Sequence, residues 1–308
     1  MPREAPLLLP PFSRPPSRVA IRRVSSYQSD LCAVLHETLR EFDLPVRDRI
    51  VLLKPNLIAL DPEGVTNTNP ALIGAAREAF LHLGASEVLI GDGSGIERDS
   101  LAILESMRMR EYTGPLARIF VDLNVDDVEL VILKTHASRL KELYFPKTVR
   151  HADFLVSMPK LKTHHWAGVT LSLKNMFGAV PGGCYGWPKN VLHWAGIDRA
   201  ILDINAAVRP DFAIVDGIVG MEGNGPIQGE VKTAGVLVLG NDPVAVDSTC
   251  ARVMGLLPEK IKHIAQAATL LGHMDHEKIV HIGESIASVR SPFSVLHQFR
   301  HLREDARG

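Results

Sequence analysis

Hydrophobic and polar positions recur along the chain with two periods, and the switches between them mark out a series of strands and helices. The segment from Arg18 to Arg23 reads as a short strand. Ser29-Asp30 then precedes Leu31, Val34, Leu35, Leu39 and Phe42 at helical spacing, which predicts a capped helix. The apolar run RIVLLKPNLI ends in Lys54-Pro55-Asn56 and reads as a strand. Asn69-Pro70 opens a second helix that closes at Gly84, and EVLI runs on into the glycine-rich GDGSG at 91–95. Strand, loop, helix and strand in that order predict a parallel pair with a right-handed crossover.

The same alternation continues downstream. A helix is predicted from Leu101 to Tyr112, and VELVIL, HADFLVSMP, DFAIVDG, AGVLVLG and KIVHIGES all read as strands. Asn241-Asp242-Pro243 opens the helix VAVDSTCARVMG. The fold expected is α/β, with parallel or mixed sheets, flanking helices in Rossmann-like layers, and two lobes around a cleft. The boundaries expected are a flexible leader at 1–17, an N-terminal lobe at 18–150, a C-terminal lobe at 151–290 and a basic tail at 291–308.

One stretch organises the rest. From Asp153 to Gly183 an apolar run reaches Met158-Pro159 and delivers Lys160, Lys162, His164, His165, Lys174 and Asn175 within a short span. No acidic residue occurs between His164 and Gly183. An ordinary surface loop mixes both signs, so a strand feeding an acid-free basic loop predicts the site of the protein.

Composition narrows the ligand. A formal net charge of -1 and a sequence pI near 6.9 give no reason to expect nucleic acid or an acidic membrane, so the basic stretch suits a small anion. Cys32, Cys184 and Cys250 form no CxxC pair, which disfavours zinc ribbons, thioredoxin motifs and an intrinsic iron–sulfur cluster. A reducing cytoplasm fits this cysteine usage, and no run of 18 apolar residues signals a membrane span.

Candidate residues follow from strand ends and glycine loops. Lys54 and Asn56 close a strand, where lysine holds carboxylate or phosphate as a point charge. Asp92 and Ser94 fit either a tight turn or a ligand contact, since Ile96 breaks GxGxxG and no P-loop lysine follows. Lys160, Lys162 and Lys174 are either a solvated basic face or anion contacts. His164 and His193 are the candidates for proton transfer, because imidazole titrates near neutrality. Asp216 and Glu222, in DGIVGMEGNGP, are candidates for a divalent metal or a general base, or for a capped turn. Gly223 and Gly225 would let backbone approach a ligand. Asp247, among apolar helix positions, needs a partner if buried and joins the two acids as a candidate metal ligand.

With KPN at 54–56, GDGSG at 91–95, MPKLKTH at 158–164, TLSLKNMFG at 170–178, DGIVGMEGNGP at 216–226 and NDPVAVD at 241–247, the sequence resembles the family catalogued as domain of unknown function 362. The resemblance runs from about residue 48 to 284. It implies an α/β protein without an agreed reaction, often carrying or accompanying a ferredoxin-like domain with two four-iron clusters. Such a domain is not expected in this chain, because Cys32, Cys184 and Cys250 cannot supply its clusters. Positions matching the family pattern are Lys54, Asn56, Asp92, Lys160, Lys162, His164, Lys174, Asn175, His193, Asp216, Glu222, Gly223, Gly225, Asp242 and Asp247. A looser similarity, in layout alone, is to lactate racemase and its relatives.

Two readings follow. The first is an enzyme acting on a small anionic metabolite, with Lys54, Lys160, Lys162 and Lys174 holding the anion. In it His164, His193, Lys174 or Lys162 carries the chemistry, and Asp216, Glu222 and Asp247 are positioned for a divalent metal. The alternative is a non-catalytic module that binds a metal or works with a separate ferredoxin. Polar strand-end groups spread over the sequence yet able to converge favour the enzyme.

Overall fold

The computed structural model describes Pro2, residues 14–61 and residues 64–306. Apart from Pro2 and residues 14–17, the expected leader lies outside the described residues. Twelve strands are described: β1 (Ser17–Arg23), β2 (Ile50–Pro55), β3 (Glu87–Asp92), β4 (Phe120–Asp122), β5 (Val128–Ile132), β6 (Glu142–Pro146), β7 (Phe154–Met158), β8 (Lys160–His164), β9 (Gly168–Thr170), β10 (Phe212–Glu222), β11 (Glu230–Gly240) and β12 (Ile279–Gly283). β5 and β6 form a separate antiparallel pair, and the other strands make one sheet.

That sheet runs β12-β1-β11-β10-β7-β2-β3-β4, with β8 paired to β10 and β9. Most of its pairings are parallel; β11 is antiparallel to both neighbours, and so is β9 to β8. Both faces are covered, and the strand sequences show why. In β2, Val51 and Leu53 pack into one core with Leu35, Leu39, Leu72 and Phe80 of helices Leu31–Arg40 and Pro70–His82. Leu52 points to the opposite core, which holds Ile201, Val246 and Ile264 of helices Ile197–Ala207, Pro243–Val253 and Lys262–Leu270. Strands buried on both faces lose polar alternation and read as continuous apolar runs.

The predicted helix caps are in place. Asp30 accepts from Ala33 N, Asn69 from Ala71 N, and Asp242 from Val244 and Ala245 N. Four features depart from the sequence reading. The basic stretch after Met158 begins as a strand, because Lys160, Lys162 and His164 alternate with Leu161 and Thr163, a period of two. The presumed glycine loop after Asp216 is the second half of β10, where Gly217 and Gly220 let the backbone pass close to Val236 and Leu161. The helix expected from Leu101 to Tyr112 is Ser100–Ser106 followed by a turn at Arg110–Thr113, with Arg108 between them at φ 57°. Finally, the sheet continues across residue 150, since β7 lies between β2 and β10. Among the described residues no helix is long and apolar enough to cross a membrane.

Candidate active site

Chain order places β3 and β4 on one side of β2 and β7 on the other, so the direction of winding reverses beside β2. Open α/β sheets bind ligands beyond the carboxyl ends of strands at such a reversal. A cavity of about 270 Å³ opens there, lined by groups that include Lys54, Asn56, Asp92, His164, Thr170, Lys174, Asn175, Phe177, Lys189 and His193.

Lys54 is fully buried at the end of β2. Its Nζ donates to Asp92 Oδ1 at 2.6 Å, to Pro55 O at 3.0 Å and to Asn175 Oδ1 at 3.2 Å. All three ammonium hydrogens are therefore spoken for, and the lysine builds the cavity floor more than it reaches a ligand. Burial pulls its pKa down, and the Asp92 carboxylate opposes that pull. Asp92 is held by Leu57 N and Gly93 N as well. A β-carbon at Gly178 would collide with Asp92 and Lys54 Nζ, so this glycine admits the pair. Asn175 donates to Lys54 O and Ser157 Oγ, locking the site to β7.

Lys174 is different. Its Nζ lies 3.8 Å from the centre of the Phe177 ring, and among the described residues no acceptor or carboxylate meets it. Burial and the neighbouring Lys54 charge push its pKa down to about 7. Lys189, which the sequence reading passed over, also lines the cavity. It adopts the left-handed conformation, φ 63°, and its Nζ donates to Gly93 O at 2.8 Å. Burial takes its pKa to about 7 too. No pattern in the sequence marks Lys189; it stands in a loop and reaches Gly93 only through the tertiary fold.

His164 has a fixed tautomer. Its Nδ1 accepts from Trp166 N at 3.0 Å and from Ala167 N at 3.2 Å, so the ring proton sits on Nε2. Burial, then Lys174, holds its pKa well below the usual histidine value. The neutral ring is thus a hydrogen-bond donor at Nε2, and it has no spare basic nitrogen. His193 packs edge-on against Trp166 and Phe177, and burial with Lys174 lowers its pKa to about 4. Two further cavity-lining atoms, Asn56 Oδ1 and Thr170 Oγ1, are buried without a hydrogen-bond partner.

The remaining sequence candidates lie elsewhere. Lys160 Nζ pairs with Asp216 Oδ2 at 2.8 Å, and Asp216 also accepts from Tyr27 Oη and Asn69 N. Lys162 Nζ donates to Thr66 O at 2.7 Å, and burial with Lys160 drives its pKa well down. Ser94 Oγ closes a turn, donating to Ile58 O and accepting from Glu97 N. Glu222 accepts from Ser294 N, while Asp247 accepts from Ser172 N and Leu173 N. Gly223 has φ 78° and donates its N–H to Ser294 O. A side chain at Gly225 would strike Thr163 O. Asp216, Glu222 and Asp247 thus have separate partners, and among the described residues no three His, Cys, Asp or Glu side chains form a group able to hold a metal ion.

A family model described as Domain of unknown function (DUF362) matches residues 51–252, which spans β2 to helix Pro243–Val253 and every cavity group named above. The chain belongs to the DUF362 family. It is 29% identical over 225 residues to the thylakoid-associated protein sll1697 of Synechocystis sp., an alignment covering 70% of this chain and 66% of the relative. The DUF362 chain thus spans just under two thirds of that relative's length. Among solved structures it is similar to the lactate racemase apoprotein of Thermoanaerobacterium thermosaccharolyticum, at 16% identity and a TM-score of 0.46, covering 78% of this chain and 57% of the other. A protein of Thermotoga maritima is similar at 12% identity and a TM-score of 0.40, over 65% of this chain and 52% of the other.

Proposed function

We propose that this DUF362 chain is an enzyme that acts on a small anionic metabolite bound in the cavity beyond β2 and β3. The observation that carries this reading is the Lys174 amine, which reaches the cavity and meets no acceptor among the described residues. Lys189 adds a second cation whose direct partners are backbone carbonyls. A cation buried without a counter-charge is costly, and a ligand anion removes that cost on binding.

The other groups have complementary parts. His164 would donate from Nε2 to a substrate oxygen, acting as a neutral electrophile. His193, held neutral at pH 7, would accept a proton. Asn56 Oδ1 and Thr170 Oγ1 would meet polar atoms of the substrate, since a buried polar atom left unpaired costs roughly 1–3 kcal/mol. An anion raises the pKa of a lysine it pairs with, so binding should take up protons near pH 8.

Calorimetric titration with phosphate, acetate, oxalate and malate, in buffers of different ionisation enthalpy, tests this. At least one anion should bind with proton uptake, and Lys174→Met should weaken it roughly 10- to 100-fold, the equivalent of one charge-assisted hydrogen bond. Absence of binding by all four anions to the folded protein would sink the proposal.

A further inference from the structure

Resting on the anion-site reading, we propose that Lys174 is a covalent nucleophile that forms a Schiff base with an aldehyde or ketone bearing a carboxylate or phosphate. A lysine kept for electrostatics alone is normally tied to acceptors, as Lys54 is by Asp92, Pro55 and Asn175. Lys174 stands in the same cavity against an aromatic ring, and among the described residues no hydrogen bond occupies its nitrogen. Attack on a carbonyl needs the nitrogen lone pair, and burial beside the Lys54 charge favours the uncharged amine.

The surroundings supply the other requirements. His164 presents a fixed Nε2–H with which to polarise a carbonyl oxygen, its Nδ1 being occupied by two backbone N–H groups. Lys189 offers a donor to the anionic substituent, whose own charge would favour the protonated form of that lysine. In the reaction the carbonyl π bond opens as the C–N bond forms, giving a carbinolamine. The two amine hydrogens then leave with the former carbonyl oxygen as water, and a neutral imine remains. No oxidant or reductant enters.

The test is reductive trapping on the whole chain. Pyruvate or dihydroxyacetone phosphate is added with cyanoborohydride, which delivers hydride to the imine carbon and fixes a secondary amine. Intact-mass analysis and peptide mapping then locate it. The expected result is one adduct per chain at Lys174, absent from Lys174→Arg, with the better probe showing whether carboxylate or phosphate is preferred. Peptide mapping of the unaltered protein decides the matter even if the variant misfolds. An adduct spread over surface lysines, or none with either probe, overturns the proposal. If phosphate or acetate still binds in that case, the anion site survives and only the covalent step fails. If nothing binds, both fail.

Discussion

At the scale of the residue, the buried lysines near β2 and β8 and the half-buried Lys174 show how local partners divide structural from chemical roles. Lys54 and Lys160 each meet an aspartate, at 2.6 and 2.8 Å, whereas among the described residues Lys174 and Lys189 meet none directly. The unpaired lysines should destabilise the ligand-free protein, and the sign can be worked out for Lys174. Its pKa falls from 10.5 in the unfolded chain to about 7 in the fold, so between those values the unfolded state binds more protons. Stability contributed by this site therefore rises as pH rises from 7 towards 10.5, and the penalty is greatest below 7. Lys174→Met should accordingly be more stable than the parent at pH 6 while binding anions more weakly, a trade between function and stability. Urea unfolding at pH 6 and pH 10 checks it: the gap should be wide at pH 6 and close at pH 10. The sequence places Lys174 in an acid-free stretch, but it does not distinguish it from Lys162, whose amine is taken up by Thr66 O.

At the scale of the element, the short helical turn Ser172–Asn175 carries both Lys174 and Asn175, and it is too short to hold its own geometry. Asp247, from helix Pro243–Val253, holds it by accepting from Ser172 N at 2.7 Å and from Leu173 N at 2.9 Å. Burial pushes the Asp247 carboxyl up to about 8, and the two N–H donors pull the other way. Asp247 is not among the residues lining the cavity, so a part in anion binding would be one of positioning Lys174 and Asn175. Asp247→Ala should lose about 2–6 kcal/mol, the sum of two buried N–H groups left unpaired, and should weaken anion binding as well. Denaturant unfolding and anion titration of the same variant measure both, and an effect on stability alone would argue against the positioning role. The sequence marks Asp247 as needing a partner. It does not say that the partner is a backbone turn far away along the chain.

Two elements differ from what their composition predicts, for one reason. KLKTH and DGIVGMEG are polar or glycine-rich, and such composition ordinarily marks loops. Both are buried strand in the protein, because Lys160 and Asp216 sit opposite each other on β8 and β10 and neutralise one another. Pairing of that kind makes a polar sequence acceptable inside a sheet, and it depends on residues 56 positions apart.

At the scale of the whole molecule, Asp216 ties distant parts of the chain together. It accepts from Tyr27 Oη at 2.8 Å, Lys160 Nζ at 2.8 Å and Asn69 N at 2.9 Å, so one carboxylate joins the segment after β1, the cap of helix Pro70–His82, and β8. Removing only one member leaves an uncompensated charge inside the sheet. Lys160→Met should therefore cost about 3–5 kcal/mol, and the double change Lys160→Met with Asp216→Leu should recover part of that loss. Chemical denaturation of the single and double variants tests it; a double variant no better than the single would mean that the hydrogen bonds to Tyr27 and Asn69 matter more than the charge pair.

By itself the sequence determined the α/β class, the helix caps at Asp30, Asn69 and Asp242, and the strand ends that carry Lys54 and Asp92. These are local properties, written in periodicity and in residues whose preferences act over a few positions. The tertiary structure alone decided which lysines meet a carboxylate, which histidine nitrogen carries the proton, and that Lys189 lines the cavity. It also separated Asp216, Glu222 and Asp247, which stand within one segment of sequence yet have different partners. The physical reason is that a charge or a polar atom acquires its role from what lies within hydrogen-bond reach, and in a two-sided sheet those neighbours come from strands and turns far apart along the chain.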